Sequence, residues 1–411
     1  MTELMRVTVE RLGHLGDGIA ANASGSPVYV PGALPGEVVE GAVDNGVMAV
    51  PKIVTPVAER VSPPCRHAKA CGGCQLQHAD YGFVTRWKEE VVTRALAAQG
   101  LECEMRPCIV SPPLSRRRAG FSARRKKKGA LAGFHAKGSD VVISVPDCQL
   151  VRPALSAALP LAEALAVAGA SRKGELSVMM TETEAGLDVA VRGGKPVDDD
   201  FRVTLAGIAQ AEGIARLSWD EEVLTFRPAM VTFGSAQVVP PPGAFLQATK
   251  EGEAALLSCV TEALTGARHV ADLFAGCGTF SLPIAEQARV HAVEGDGAML
   301  RALDKGWRQA QGLKHVTTET RDLFRNPLLP DELGRFDGVV IDPPRAGAEA
   351  QVAQIARLRV PRIAFVSCNP VTFARDAAVL TRAGYRLDWV RTIDQFRWST
   401  HVELAAQFTP A

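Results

Sequence analysis

No stretch of this 411-residue sequence is apolar for long enough to cross a membrane as a helix. The longest apolar run, Leu155 to Ala170, is interrupted by Pro160 and Glu163 and falls short of the about 20 residues a span needs. Neither sign of charge is in excess: 46 Lys and Arg face 45 Asp and Glu for a net +1, so overall electrostatics select no partner. The opening MTELMRVTVERLGHLG lacks the basic end, apolar core and small-residue cleavage site of a secretion signal, which leads us to expect a cytoplasmic protein. In that compartment nine cysteines, an odd number, do not suggest a disulfide framework; metal binding and catalysis become the better questions. Internal repeats and low-complexity tracts are also missing. What is present is a 47% hydrophobic composition, which excludes a disordered chain, and a length that implies two or three cores.

Texture divides the chain into three. Residues 1–60 alternate short β-type runs (RVTVERL, PVYVPG, EVVEGAV, MAVPKIV) with Gly and Pro turns, the pattern of a small β-barrel of OB-like type. Residues 61–235 read as a central α+β domain. It holds an amphipathic helix from Tyr81 to Gln99, an Ala-rich helix around 153–168, and strand segments that include DVVISV, ELSVMMTETEAGLDVAVRG, FRVTLAGI and EVLTFR. From 236 to 411 apolar strands alternate with helices, the signature of a doubly wound, Rossmann-like sheet. Five strands there should be parallel. The last two, YRLDWVRTID and VELAAQFT, joined by QFRWSTH, suit an antiparallel ending.

Charge is unevenly placed. RRRAGFSARRKKK, from Arg116 to Lys128, carries eight Lys or Arg in thirteen positions with no acid, enough to neutralise several backbone phosphates. The bland alternative is an edge strand guarded from aggregation by its charge. Cysteine is uneven too: Cys65, Cys71 and Cys74 cluster as C-x5-C-x2-C, and Cys148 stands apart. Spacing alone leaves an iron–sulfur cluster, zinc and no metal all open. Cys103, Cys108, Cys259 and Cys277 read as small buried hydrophobes.

Three motifs place chemistry on the C-terminal sheet. The first strand ends in DLFAGCGTF, where Gly276 and Gly278 let the backbone turn closely beneath a ligand, and Glu294 closes the second strand 22 residues after Asp272, where a carboxylate can grip the hydroxyls of a ribose. A dinucleotide site usually has a third glycine, but that position is Ser281, and Asp342-Pro-Pro-Arg345 further favours S-adenosylmethionine over nucleotide-dependent redox chemistry or a sheet without a ligand. Cys368, in SCNP after RIAFV, should lie on the same rim. Methylating C5 of a pyrimidine needs a thiolate at C6 to make C5 nucleophilic and then a base to remove the C5 proton; Cys368 and Glu403 of HVE are candidates for these roles, an edge-strand surface residue being the plain alternative for Glu403.

Taken together, PPGAFLQA, DLFAGCGTFSLP, VEGD, IDPPRAG, SCNPVTFARD and HVE, in that order, resemble the S-adenosylmethionine-dependent RNA 5-methyluridine methyltransferases over essentially the whole chain. The first sixty residues look like the TRAM barrel of several ribosomal-RNA members. The resemblance implies that Gln247, Phe274, Glu294 and Asp342 bind the cofactor, with Asp322 a weaker candidate, that Cys368 is the nucleophile and that Glu403 accepts the proton. It also implies a [4Fe-4S] cluster on Cys65, Cys71, Cys74 and Cys148, in a structural role. Many family members have Asn where this chain has Thr279, which puts that contact in doubt. The implied substrate is a uridine of 23S ribosomal RNA, with transfer RNA as the alternative. A monomer is expected, with neither a membrane nor an obligate protein partner. Rivals from other classes are a non-catalytic RNA-binding or ribosome-assembly factor and an iron–sulfur radical enzyme.

Overall fold

The computed structural model describes residues 3–411. Its N-terminal unit is two small antiparallel sheets, one of Glu3–Thr8, Val38–Val43 and Lys52–Thr55, the other of Arg11–Leu12, Gly18–Ala21 and Pro27–Val30. Alternation in Pro27–Val30 turns Val28 and Val30 inward, where they join Val7, Val9, Val39 and Met48 in a small core. Close packing shows at Gly18, where any Cβ would stand 2.8 Å from Val9 Cγ1.

The central unit is a seven-stranded mixed sheet backed by helices. One sequence expectation fails here, and one of the two readings of the basic run is excluded. FRVTLAGI is not a strand but part of the helix Asp199–Ala211. Asp198 caps that helix by accepting from Phe201 N, and Phe201, Leu205 and Ala209 recur every four residues on its buried face; this spacing outweighs the β-branched Val203 and Thr204, which lie exposed. Nor is the basic run an edge. Arg118–Arg125 is an interior strand paired on both sides, with Ala130–His135 and Glu175–Thr183. Arg117 is buried and bound to Glu253 at 2.5 Å, while Arg124 is engaged by Glu175 and Asp140. Only Arg125 to Lys128, at the strand's end and in the following turn, form a fully exposed basic tip. The Ala-rich helix is broken at Ala158 into Pro153–Ala157 and Leu159–Gly169, with Pro160 in the first turn of the second piece, where its missing N–H costs no bond.

The C-terminal unit is an eight-stranded sheet. In chain order its strands are β1 (Glu104–Val110), β2 (His269–Leu273), β3 (Arg289–Glu294), β4 (Val316–Thr320), β5 (Gly338–Ile341), β6 (Ile363–Ser367), β7 (Tyr385–Asp394) and β8 (Glu403–Pro410). They lie in the order β4-β3-β2-β5-β6-β8-β7-β1. The strands β2 to β6 are parallel, and β8 runs antiparallel to both β6 and β7. The contiguous span 61–235 does not hold as one unit, because β1 pairs in parallel with β7 and the helix α1 (Tyr81–Ala97) packs Val92 and Leu96 into the core on one face of this sheet. The chain thus enters the C-terminal unit, leaves to build the central sheet and returns. Val339, Val340 and Ile341 in β5 are fully buried, each contributing about 1.5–3 kcal/mol relative to exposure, and this anchors the middle of the sheet rigidly beneath the loops at its C-terminal rim. No helix among the described residues is long and apolar enough to cross a membrane.

Candidate active site

A cavity of about 710 Å³ opens at the carboxyl ends of β2, β3, β5 and β6. That is where open α/β sheets bind ligands, since loops leaving successive strands part there. Gln247, Phe274, Glu294, Asp322 and Asp342, the five expected cofactor residues, all line it, and so does Thr279. The turn after β2 is tight: Phe274 has φ 65°, a region that costs a non-glycine residue energy, and Gly276 and Gly278 follow at φ 57° and 96°. This turn delivers Gly276 N to Glu294 Oε2 at 3.0 Å, while Asp296 N donates to Oε1 at 2.9 Å, so the carboxylate at the end of β3 is held in one orientation. Asp322 accepts from Phe324 N at 3.0 Å and so places the Phe324 ring 5.4 Å from that of Phe274 on the cavity wall.

Acids crowd the cavity wall and the strand behind it. Asp272, wholly buried, accepts from Ser281 Oγ at 2.5 Å through Oδ2, while its Oδ1 has no partner. Burial pushes Asp272 up to about 7, against the Ser281 bond and with help from Glu294, and burial, then Asp272 and Glu294, push Asp342 up to about 7. Carboxylates so placed suit a cationic ligand, whose charge would draw them back to the ionised form.

The same cavity is also lined by Cys368, Arg345, Phe396, His401 and Glu403. Cys368 follows β6 directly, and Asn369 accepts from Val371 N to start the next helix while donating to the Arg345 carbonyl at 2.9 Å. Burial pushes the Cys368 thiol up to about 11, with Glu403 and Asp342 adding to the shift and Arg345 opposing it. Glu403, the first residue of β8, is pushed up to about 8 by burial and Asp342, against a hydrogen bond from Gln395 and the charge of Arg345. Arg345 also touches the His401 ring. Gln395, Phe396 and His401 were not singled out as site residues from the sequence. They sit in or beside QFRWSTH, read there only as a connection; the signal missed is that its ends lie on strands finishing at the cofactor rim.

Cys65, Cys71, Cys74 and Cys148 are brought around a second, small cavity with Phe134 and Leu150. His67 Nε2 meets Asp147 Oδ1 at 2.8 Å and ties the first cysteine loop to the loop of Cys148. Burial, and then mutual repulsion among the thiols, pushes Cys74 up to about 12 and raises Cys71. No group of three or more His, Cys, Asp or Glu side chains among the described residues is arranged to hold a single metal ion as it stands. Four thiols drawn to one small, apolar-lined cavity are nevertheless a donor set of the chemistry a thiolate-bound centre uses.

Comparison with known proteins adds findings of three kinds. Residues 309–408 match the family described as tRNA (Uracil-5-)-methyltransferase, and residues 3–43 match the TRAM domain. An "Uncharacterized RNA methyltransferase" of Rhizobium meliloti (strain 1021) is 46% identical over 97% of this chain and 98% of its own length. The 23S rRNA (uracil(1939)-C(5))-methyltransferase RlmD of Hahella chejuensis is 30% identical over 100% of this chain and 98% of its own. Among solved structures, the tRNA (uracil-54, C5)-methyltransferase of Pyrococcus abyssi, in complex with S-adenosyl-L-homocysteine, superposes with a TM-score of 0.76 at 21% identity, covering 98% of this chain and 99% of that one, which establishes a shared fold.

Proposed function

The chain belongs to the S-adenosylmethionine-dependent RNA uracil-C5 methyltransferases, and from that premise we propose that it methylates a uridine of 23S ribosomal RNA through a covalent bond between Cys368 and C6. The observation that carries this reading is that one cavity is lined both by the acids of the expected cofactor site and by Cys368 and Glu403. Ribosomal RNA is favoured by the full-length likeness to a 23S methyltransferase, barrel included. Transfer RNA is the second reading, supported by the family description that matches residues 309–408.

In this mechanism the barrel and the exposed Arg125 to Lys128 tip hold the RNA backbone, and the target uridine is splayed from its stack into the cavity. Gln247, Phe274, Glu294, Asp322 and Asp342 hold S-adenosylmethionine, which when bound supplies the methyl group and a sulfonium charge among these carboxylates. The Cys368 thiolate adds to C6, and Arg345 favours its ionisation against the burial that opposes it. Addition makes C5 an enolate-like carbon able to take the methyl group. Glu403 then takes the C5 proton; the C5–H electron pair forms the C5=C6 bond, the C6–S bond breaks, and its pair returns to Cys368 as thiolate.

We assign the four thiols to a [4Fe-4S] cluster with a structural role, joining the loop after the barrel to the end of the central sheet. Uridine methylation requires no electron, so no step passes through it. Nucleoside mass spectrometry tests the whole reading. Undermethylated ribosomal and transfer RNA are incubated separately with anaerobically purified protein and isotope-labelled S-adenosylmethionine. Labelled 5-methyluridine is expected in the ribosomal fraction; label confined to transfer RNA would reverse the substrate, and none in either would sink the activity.

A further inference from the structure

Gln395 lies at the end of β7, one residue beyond its last strand position, and is 1% exposed. Its amide orientation is fixed by the backbone: Ala248 N–H can only donate, so the atom it meets at 2.9 Å is Oε1. The NH2 group therefore faces the other way, toward two acceptors, Gln247 Oε1 at 2.6 Å and Glu403 Oε2 at 3.2 Å. Every hydrogen-bonding atom of the Gln395 side chain is thus used, and both of its hydrogens go to residues that line the reaction cavity. Because Gln247 Oε1 is occupied as an acceptor, the remaining amide hydrogens of Gln247 are left as donors to whatever fills the cavity.

Resting on the assignment of Glu403 as base, we propose that Gln395 is the positioning residue for proton removal, holding Oε2 of Glu403 so that Oε1 faces C5 of the bound uracil. It does not touch the substrate. A hydrogen bond donated to a carboxylate also favours its ionised form, which is the form that can accept a proton. That help is needed where Glu403 stands. Asp342 from the end of β5 opposes a second negative charge and burial disfavours any charge, while Arg345 from the following loop is the cation acting in its favour. Cys368 after β6 adds to the same crowding, since it and Glu403 each disfavour the other's ionisation. Through Gln247, the same amide also links the placement of the base to the wall of the cofactor pocket.

The chemistry to be read is elimination from the methylated adduct: Glu403 gains the C5 proton, the C5=C6 bond forms and the Cys368 thiolate leaves. RNA carrying tritium at C5 of uridine reports proton removal as tritium in water, and labelled methyl on protein-bound RNA reports the earlier transfer. Gln395→Met keeps the length of the side chain and removes both donors. It should form the methylated adduct but release tritium about tenfold more slowly near neutral pH, accumulate a denaturation-resistant protein–RNA species, and move the pH midpoint of release upward by about one unit. If methyl transfer and tritium release slow together, with no adduct and an unmoved midpoint, Gln395 is merely structural and the proposal fails.

Should Gln395→Met not fold, as judged by its melting transition, Gln395→Glu carries the test, since it keeps an acceptor for Ala248 N and sets a second acid against Glu403. The same slow release and upward midpoint are expected, and an unaltered midpoint overturns the proposal. Glu403→Gln separates the two assignments. If that variant traps the adduct and the Gln395 variants do not, only the role of Gln395 is lost; if Glu403→Gln itself releases product cleanly, the base assignment falls and that of Gln395 with it.

Discussion

Lys88 on α1 and Asp394 at the end of β7 form a salt bridge of 2.7 Å between side chains 1% and 0% exposed. Asp394 also accepts from Tyr81 Oη at 2.6 Å and from Phe396 N at 2.9 Å, and Lys88 donates to the Phe396 carbonyl at 3.1 Å. The loop that carries Gln395, Phe396 and His401 thus hangs from an ion pair whose basic partner comes from a helix more than 300 residues away in sequence. Removing one partner of such a pair strands the other as an uncompensated buried charge. Lys88→Met should therefore cost about 3–5 kcal/mol of stability, measured by urea unfolding. The double variant Lys88→Met with Asp394→Leu should recover part of it; a loss under about 1 kcal/mol in the single variant would mean that the loop is held by other contacts.

Cys368→Ala should end methylation while S-adenosylmethionine still binds, because Cys368 is not among the residues assigned to hold the cofactor and its small side chain is only half-buried. Labelled methyl incorporation and calorimetric cofactor binding check the two halves. Residual turnover would rule out a covalent C6 adduct.

Glu403 gives a pH dependence whose sign can be worked out. Its carboxyl stands at about 8 in the fold against 4.5 ordinarily, so the folded chain holds a proton that the unfolded chain has released over that range. Its contribution to stability is full below about 4.5 and lost as pH rises through about 8. Glu403→Gln mimics the protonated form and should stabilise the ligand-free protein at pH 8.5, on the order of 2–4 kcal/mol, with little effect at pH 4.5. Melting curves at the two pH values decide it; equal effects at both would show that Glu403 is ionised throughout. For the same reason product release by the intact protein should quicken between pH 7 and 9.

The basic run should split in a mutational test. Lys126→Ala with Lys127→Ala removes exposed charges and should leave the fold intact while reducing the salt slope of RNA binding by about one to two units. Arg117→Ala instead leaves Glu253 without the partner it meets at 2.5 Å and should cost several kcal/mol, about 3, in unfolding. Filter binding at several salt concentrations, alongside denaturation, reads both. An unchanged slope in the lysine variant would remove that tip from the RNA path.

Cys148→Ser should lower both iron content and thermal stability, because Cys148 is the member of the thiol set that comes from a loop remote in sequence, and its removal uncouples the two loops that line the small cavity. Iron and sulfide analysis of anaerobically purified protein checks it. Full iron content would exclude Cys148 as a ligand.

Much of the site was legible because its motifs are local. Asp272 to Phe280 is a strand followed by a turn that only small residues permit, and Glu294, Asp342 and Cys368 each close an apolar strand of a parallel sheet, which sends them all to one rim. Strand ends can be read from hydrophobic patterning alone. The helix Asp199–Ala211 reads as a strand because β-branched residues on its solvent face mimic one, and in the basic run charge density says nothing of which arginines find buried acids.

The sequence by itself determined the three-part organisation in outline and the parallel sheet with its antiparallel ending, since each follows from periodicity and turn residues along one segment, and its motifs named candidate acids and thiols through the family they resemble. Only the tertiary structure decided that β1 and α1 belong to the C-terminal sheet, that Arg117 is structural, and that Gln395 stands between Gln247 and Glu403. Those are pairings across more than a hundred residues, or between side chains at the ends of separate strands. They are fixed by the need of buried polar groups for partners, and no local pattern records which partner they find.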